Sequence, residues 1–158
     1  MNRYTTSVWL FALILLTGCF WVKTYHNLSE KNLHIVTETE SGSFLSTVRA
    51  ALDIYQVDGS CTTEYLGRVN LRSPSVDVGI LSDQPSYLIF HFASSSFLAN
   101  SRSTISYDTL LTPRAGHNYN IMVRYIDDIY HVEIQETRPG TRESRDIARQ
   151  DLSAYRAV

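Results

Sequence analysis

Tyr119-Asn120-Ile121-Met122-Val123-Arg124-Tyr125 and Tyr130-His131-Val132-Glu133-Ile134-Gln135-Glu136 flank Ile126-Asp127-Asp128-Ile129, and this stretch decides the fold class. Apolar and polar side chains alternate along both arms, the period-two signature of strands with one buried face. A reversal at the aspartates sets Tyr125 opposite Tyr130, Val123 opposite Val132 and Ile121 opposite Ile134, so every apolar pair falls on one face. The other face receives Arg124 with His131, Met122 with Glu133 and Asn120 with Gln135. A slip of one residue would turn the whole apolar set to water, so the pattern fixes the register. No glycine stands in the turn, but aspartate tolerates positive φ better than most residues; the turn is read as four residues rather than two.

The rest of the chain repeats this grammar. Strands are expected over Leu33–Glu38, Thr47–Gln56, Tyr65–Leu71, Val76–Leu81, Tyr87–Ala93 and Ser103–Leu111. Val48, Ala50, Leu52 and Ile54 alternate with Arg49, Ala51, Asp53 and Tyr55, a half-buried strand, and Tyr65, Gly67, Val69 and Leu71 read as one face of the next. Tyr87–Ala93 is apolar on both faces, as a strand between two layers should be. Asp58-Gly59, Ser73-Pro74-Ser75 and Ser82-Asp83-Gln84-Pro85 are turn signals, and Ser94-Ser95-Ser96 with Asn100-Ser101 reads as a loop. Seven or eight short strands without crossover helices predict an all-β antiparallel sandwich over residues 33–136, with a small barrel as the alternative.

Pro113-Arg114-Ala115-Gly116-His117-Asn118-Tyr119 leads into the hairpin. It resembles the glycine-plus-tyrosine entry to a late strand in immunoglobulin-like and transthyretin-like sandwiches, in which the tyrosine hydroxyl returns to nearby backbone. After Pro139-Gly140 the apolar positions Ile147, Leu152 and Tyr155 make only a thin stripe, so residues 137–158 are expected to be a frayed helix or a disordered polar tail.

Composition supports one globular domain: 44% apolar, 19% charged, ten Tyr against two Met. The net charge of −2 opposes a general nucleic-acid role. Charge is uneven: residues 19–136 hold 8 Lys and Arg against 13 Asp and Glu, whereas residues 137–158 hold 5 Arg against 3 acids.

The first residues read as an address. Arg3 precedes the apolar run Val8–Leu16, which is too short to cross a bilayer but long enough for a signal-peptide core. Leu16-Thr17-Gly18-Cys19 follows and resembles the lipobox of bacterial lipoproteins. The resemblance implies cleavage after Gly18, acylation of Cys19 and attachment to a lipid bilayer through it. It assigns residues 1–18 to a signal peptide and 19–32 to a lipidated start and polar tether. Phe20 rather than Asp after the cysteine implies delivery to the outer membrane, on its periplasmic face. An uncleaved anchor over Val8–Val22 and an ordinary secretory signal are the alternatives.

Chemistry is sparse. Cys61 has no intramolecular partner if Cys19 is acylated. His26, His34, His91, His117 and His131 show no metal-ligand spacing, no nucleophile elbow or phosphate-cradling glycine loop occurs, and Ser94–Ser96 has no base placed by sequence. No catalytic residue, metal or cofactor is therefore expected. Two functions remain. One is a non-enzymatic interaction module whose partner is another envelope protein, such as an assembly or secretion machine. The other is a carrier or inhibitor binding a lipid, glycan or enzyme.

Replacing Cys19 tests the address directly. Cys19→Ser is expected to block processing, so that intact mass spectrometry finds a chain retaining residues 1–18. An unchanged mature mass would remove the lipoprotein assignment.

Overall fold

A computed structural model of the chain describes residues 22–39, 46–96, 101–126, 129–141 and 143–155. Two open sheets pack face to face, giving the sandwich rather than the closed barrel. One sheet has the order β4-β1-β7-β8-β9, from β1 (Leu33–Thr39), β4 (Ser75–Val78), β7 (Asn118–Ile126), β8 (Ile129–Thr137) and β9 (Ser144–Asp146). The other has the order β3-β2-β5-β6, from β2 (Ser46–Val57), β3 (Thr63–Asn70), β5 (Ser86–Ser96) and β6 (Ser101–Leu111). Neighbours run antiparallel except β1 and β7, which are parallel. That pair needs no crossover helix, because the chain between its members builds the whole opposing sheet.

The hairpin forms in the register its pattern demands, from Tyr119↔Glu136 to Tyr125↔Tyr130. Pairing continues to Ile126↔Ile129, so only Asp127 and Asp128 connect the arms, two residues rather than four; both lie outside the described residues. The inner faces meet through Ile35, Ile121 and Val123 on one side and Leu52, Ile54, Leu88, Phe90 and Phe92 on the other, all essentially inaccessible to water. Each such side chain contributes roughly 1.5–3 kcal/mol of transfer free energy. The strand-entry corner also forms. Tyr119 Oη accepts the Arg114 N–H at 2.9 Å and donates to Glu136 Oε1 at 2.8 Å, while Gly116 turns the chain at φ 72°. Burial, then the Glu136 carboxylate, pushes the Tyr119 phenol up to about 12.

Four further expectations change. Ser94–Ser96 is strand, paired with Ser46–Val48, and residues 97–100 lie outside the described residues. β3 carries a bulge: Tyr55 pairs with Tyr65 but Ile54 pairs with Gly67, leaving Leu66 as the extra residue. Tyr65 therefore lies on the outer face while Gly67 and Val69 share the inner one, and their simple alternation is broken.

The segment read as a tether is a clasp over residues 23–32. Tyr25 is buried, its hydroxyl donates to Gly79 O at 2.7 Å, and Lys23–Tyr25 pairs with the edge of β3 through Arg68 N–H to Lys23 O (2.8 Å) and Tyr25 N–H to Arg68 O (3.0 Å). Three of its polar side chains bind backbone: Asn27 accepts from Gly79 N, Ser29 donates to Ile80 O, and Asn32 exchanges two hydrogen bonds with Ile80. The tail also docks. β9 pairs with β8, Ile147 N–H donates to Ile134 O, and Arg149 and Gln150 lie along β6, before a single helical turn at Leu152–Tyr155. Edge backbone groups that need partners explain why a weakly apolar tail orders.

Gly67 gauges the clasp. An added Cβ would stand 2.6 Å from Tyr25 N, at φ 146°. Gly67→Ala is expected to dislodge the segment and cost about 1–3 kcal/mol in urea unfolding. Gly59→Ala, which meets nothing within 4 Å, serves as the control and should change stability by under about 0.5 kcal/mol.

Candidate functional site

β2 presents Asp53 at the centre of the outer face of the four-stranded sheet, where alternation puts it opposite the buried Leu52 and Ile54. An aspartate 5% exposed in mid-strand requires partners, and three neighbours supply them. Arg68 on β3 grips both oxygens, Nε to Oδ1 at 2.7 Å and Nη2 to Oδ2 at 2.6 Å. His91 on β5 places Nε2 2.9 Å from Oδ2, and Tyr65 donates to Oδ1 at 3.2 Å. The bulge at Leu66 is what lets Tyr65 and Arg68, three apart in sequence, share one face. Burial alone would raise the Asp53 pKa, but the hydrogen bonds and charge of Arg68, with His91 and Tyr65, outweigh it and hold the carboxyl below its ordinary value.

A carboxylate offers about four lone-pair sites. Here four donors fill them, so the acid is structurally committed and has no acceptor site left for a substrate proton. The cluster is a polar rivet between β2, β3 and β5. Tyr55 flanks it, its ring centroid 5.1 Å from Tyr65 and 6.2 Å from Tyr87. Tyr87 donates to Asp108 at 2.7 Å, and Asp108 also receives the Arg149 guanidinium.

At the end of the sheet beyond the rivet the face turns basic. Arg49 and Arg72 are exposed and make no hydrogen bond or ion pair among the described residues. They border a cleft of about 530 Å³ with Thr37, Thr39, Thr47 and Ser73, and a second depression of about 340 Å³ floored by Ala51 and Ala93 and flanked by Arg68 and His91. The Thr37 hydroxyl in the first cleft is buried without a partner among the described residues.

A different feature occupies the far edge. β6 is hydrogen-bonded to β5 on one side only; on the other, Gln150 O accepts from Leu110 N–H and Arg149 reaches Asp108 O. That parity points the N–H and C=O of Thr104 and Ser106 outward, with no partner among the described residues. Ile105 is 46% exposed beside this edge, and Ile126 and Ile129 are exposed at the β7–β8 turn.

Leu16, Thr17, Gly18 and Cys19 lie outside the described residues, as do Asp127 and Asp128. Cys61 is half-buried at φ 62° in the β2–β3 turn, where Asp58 accepts from Ser60 and Thr62. His26 is exposed; His34 pairs with Asp77, His131 with Glu133, and His117 Nδ1 lies 3.2 Å from Ala115 O. Only His91 joins a constellation. Among the described residues no three His, Cys, Asp or Glu side chains are placed to hold a metal ion. Sequence reading missed the rivet and the arginine pair; the mid-strand Asp53 was the available signal. Compared in sequence with known protein families and with curated proteins, the chain matches none of them.

Asp53→Asn is expected to lower the unfolding free energy at neutral pH by about 2–3 kcal/mol, since Arg68 loses a charged partner. Because the folded-state pKa of Asp53 is depressed, its stabilisation is present above the unfolded value, about 3.9, and fades as pH falls below it. Chemical unfolding followed from neutral to acid pH should therefore show the loss shrinking below about pH 4.

Proposed function

We propose that the chain is a lipid-anchored lipoprotein of the bacterial envelope that works as a non-enzymatic interaction module, an accessory to an envelope assembly or secretion machine. The anchor is Cys19, and the outer membrane is the membrane its neighbouring Phe20 favours. The partner is another envelope protein, which adds an extended segment to the open edge of β6.

The uncovered stretch Ser103–Tyr107 carries this reading. The short strands β4 and β9 end one sheet, the clasp covers β3, and residues 149–150 cover one end of β6. What remains is a row of outward backbone groups beside an exposed isoleucine, the form of surface that takes up another strand, main-chain bonds giving affinity and flanking side chains specificity. The space between the sheets is filled by Phe90, Phe92 and Tyr119, which supports a surface role over an enclosed cargo.

Ser106→Pro removes one outward N–H while leaving the β5 ladder intact, a placement edge strands tolerate. Crosslinking in intact cells is expected to recover one specific protein with the unaltered chain. The proline variant should recover it at least about tenfold less, with the unfolding midpoint preserved. Equal recovery by both chains would exclude the β6 edge, and no recovery by either would exclude the module.

A further inference from the structure

We propose that the outer face of the four-stranded sheet docks on the same bilayer that anchors the chain, with Arg49 and Arg72 taking the phosphates of anionic lipid headgroups. The inference rests on the anchor at Cys19.

Chain length supplies the first argument. Lys23 is fixed to β3 by its hydrogen bond from Arg68 N–H, and four residue steps separate it from Cys19. Such a segment reaches at most roughly 14 Å. The headgroup layer, roughly 5–8 Å deep on each side, and one Debye length of about 8 Å together span that distance. An acylated Cys19 therefore holds the edge of β3 inside the field of the bilayer surface.

Charge supplies the second. The body of the protein is acidic, yet the two carboxylates that the strands themselves place on this face are already neutralised, Asp53 by Arg68 and Asp108 by Arg149; Asp151 of the tail acts on Tyr87, at the end of the face away from Arg49. Arg49 and Arg72 are left as exposed cations without partners among the described residues, and the hydroxyls of Thr39, Thr47 and Ser73 border the same cleft. Guanidinium forks and hydroxyl donors, with no free carboxylate among the described residues that line the cleft, match a phosphodiester. The tyrosines supply the third argument. Tyr55, Tyr65 and Tyr87 form a half-buried cluster on the same face, and tyrosine rings favour the headgroup level.

The test uses the full acylated chain in nanodiscs of phosphatidylcholine, alone or mixed with phosphatidylglycerol, read by amide hydrogen exchange over Thr47–Arg49 and Asn70–Ser73. Protection is expected to rise with phosphatidylglycerol and to fall again in high salt. The double variant Arg49→Ala with Arg72→Ala should reduce the docking equilibrium roughly 25-fold, about fivefold for each arginine at an anionic surface. Both side chains are exposed and unpaired among the described residues, so its unfolding midpoint should match that of the unaltered chain. Protection independent of lipid composition, or unaffected by the double variant, would overturn the inference. Intact mass of the same sample reads the acyl groups separately: an acylated chain without composition-dependent protection ends the docking and leaves the anchor standing, whereas an unacylated chain ends both.

Discussion

A β-sandwich buries its inner faces easily but leaves its edges with backbone groups that neither sheet can satisfy, and this structure depends on how those edges are closed. The inner faces are ordinary: aliphatic and aromatic side chains from both sheets fill the interior, with Phe90 and Phe92 against Ile35, Ile121 and Val123. The edges are where the chain spends its irregular sequence. Residues 23–32 seal the side where β3 and β4 meet, using Tyr25 as a plug and Asn27, Ser29 and Asn32 as partners for Gly79 and Ile80 backbone. Residues 144–150 seal part of the opposite side. Gly67 and Gly79 permit the close approach, since a Cβ at either would fall under 3 Å from the clasp backbone.

What the sequence made legible follows from this division. The hairpin register, the glycine–tyrosine corner and the half-buried alternation of β2 depend on period-two patterning over consecutive residues, which is local information. Asp53, Arg68 and His91 lie on three strands, and their meeting depends on two registers and a bulge. Gly67, next to Leu66, is the one local sign of that bulge, and an alternation drawn straight through it from Tyr65 to Leu71 misassigned the face of Tyr65. The terminal segments were opaque for a related reason. Asn27, Ser29, Asn32 and Arg149 are polar side chains that bind backbone elsewhere in the chain, and composition alone cannot separate such a residue from one that only faces water.

Seen this way, the outer face of the four-stranded sheet is a built surface rather than a solvated default. Three tyrosines, a saturated carboxylate and a pair of arginines follow one another along it. A buried ion pair is weak evidence for net stability, because desolvation offsets much of its Coulombic gain. Its more secure effect here is geometric. The bidentate hold on Asp53 fixes the Arg68 side chain flat against the sheet and ties β3 to β2 and β5, so the strand that meets the clasp is held rigidly to the rest of the face.

That rigidity gives the clasp a mechanical meaning under the proposed anchor. A free tether from Cys19 to the start of β1 would extend roughly 45 Å, enough for the domain to tumble well clear of the lipid. Docking Lys23–Tyr25 on β3 shortens the free length to about a third and moves the point of attachment from the end of a strand to the side of a sheet. Orientation is then set by the fold: the face shared by β3, β2 and β5 lies toward the membrane, and β6, three strand spacings across the sheet at roughly 4.8 Å each, points its open edge sideways along the surface. The same ordering of strands that closes one edge with the chain's own beginning therefore leaves the other edge available, at a fixed height above the surface that holds it.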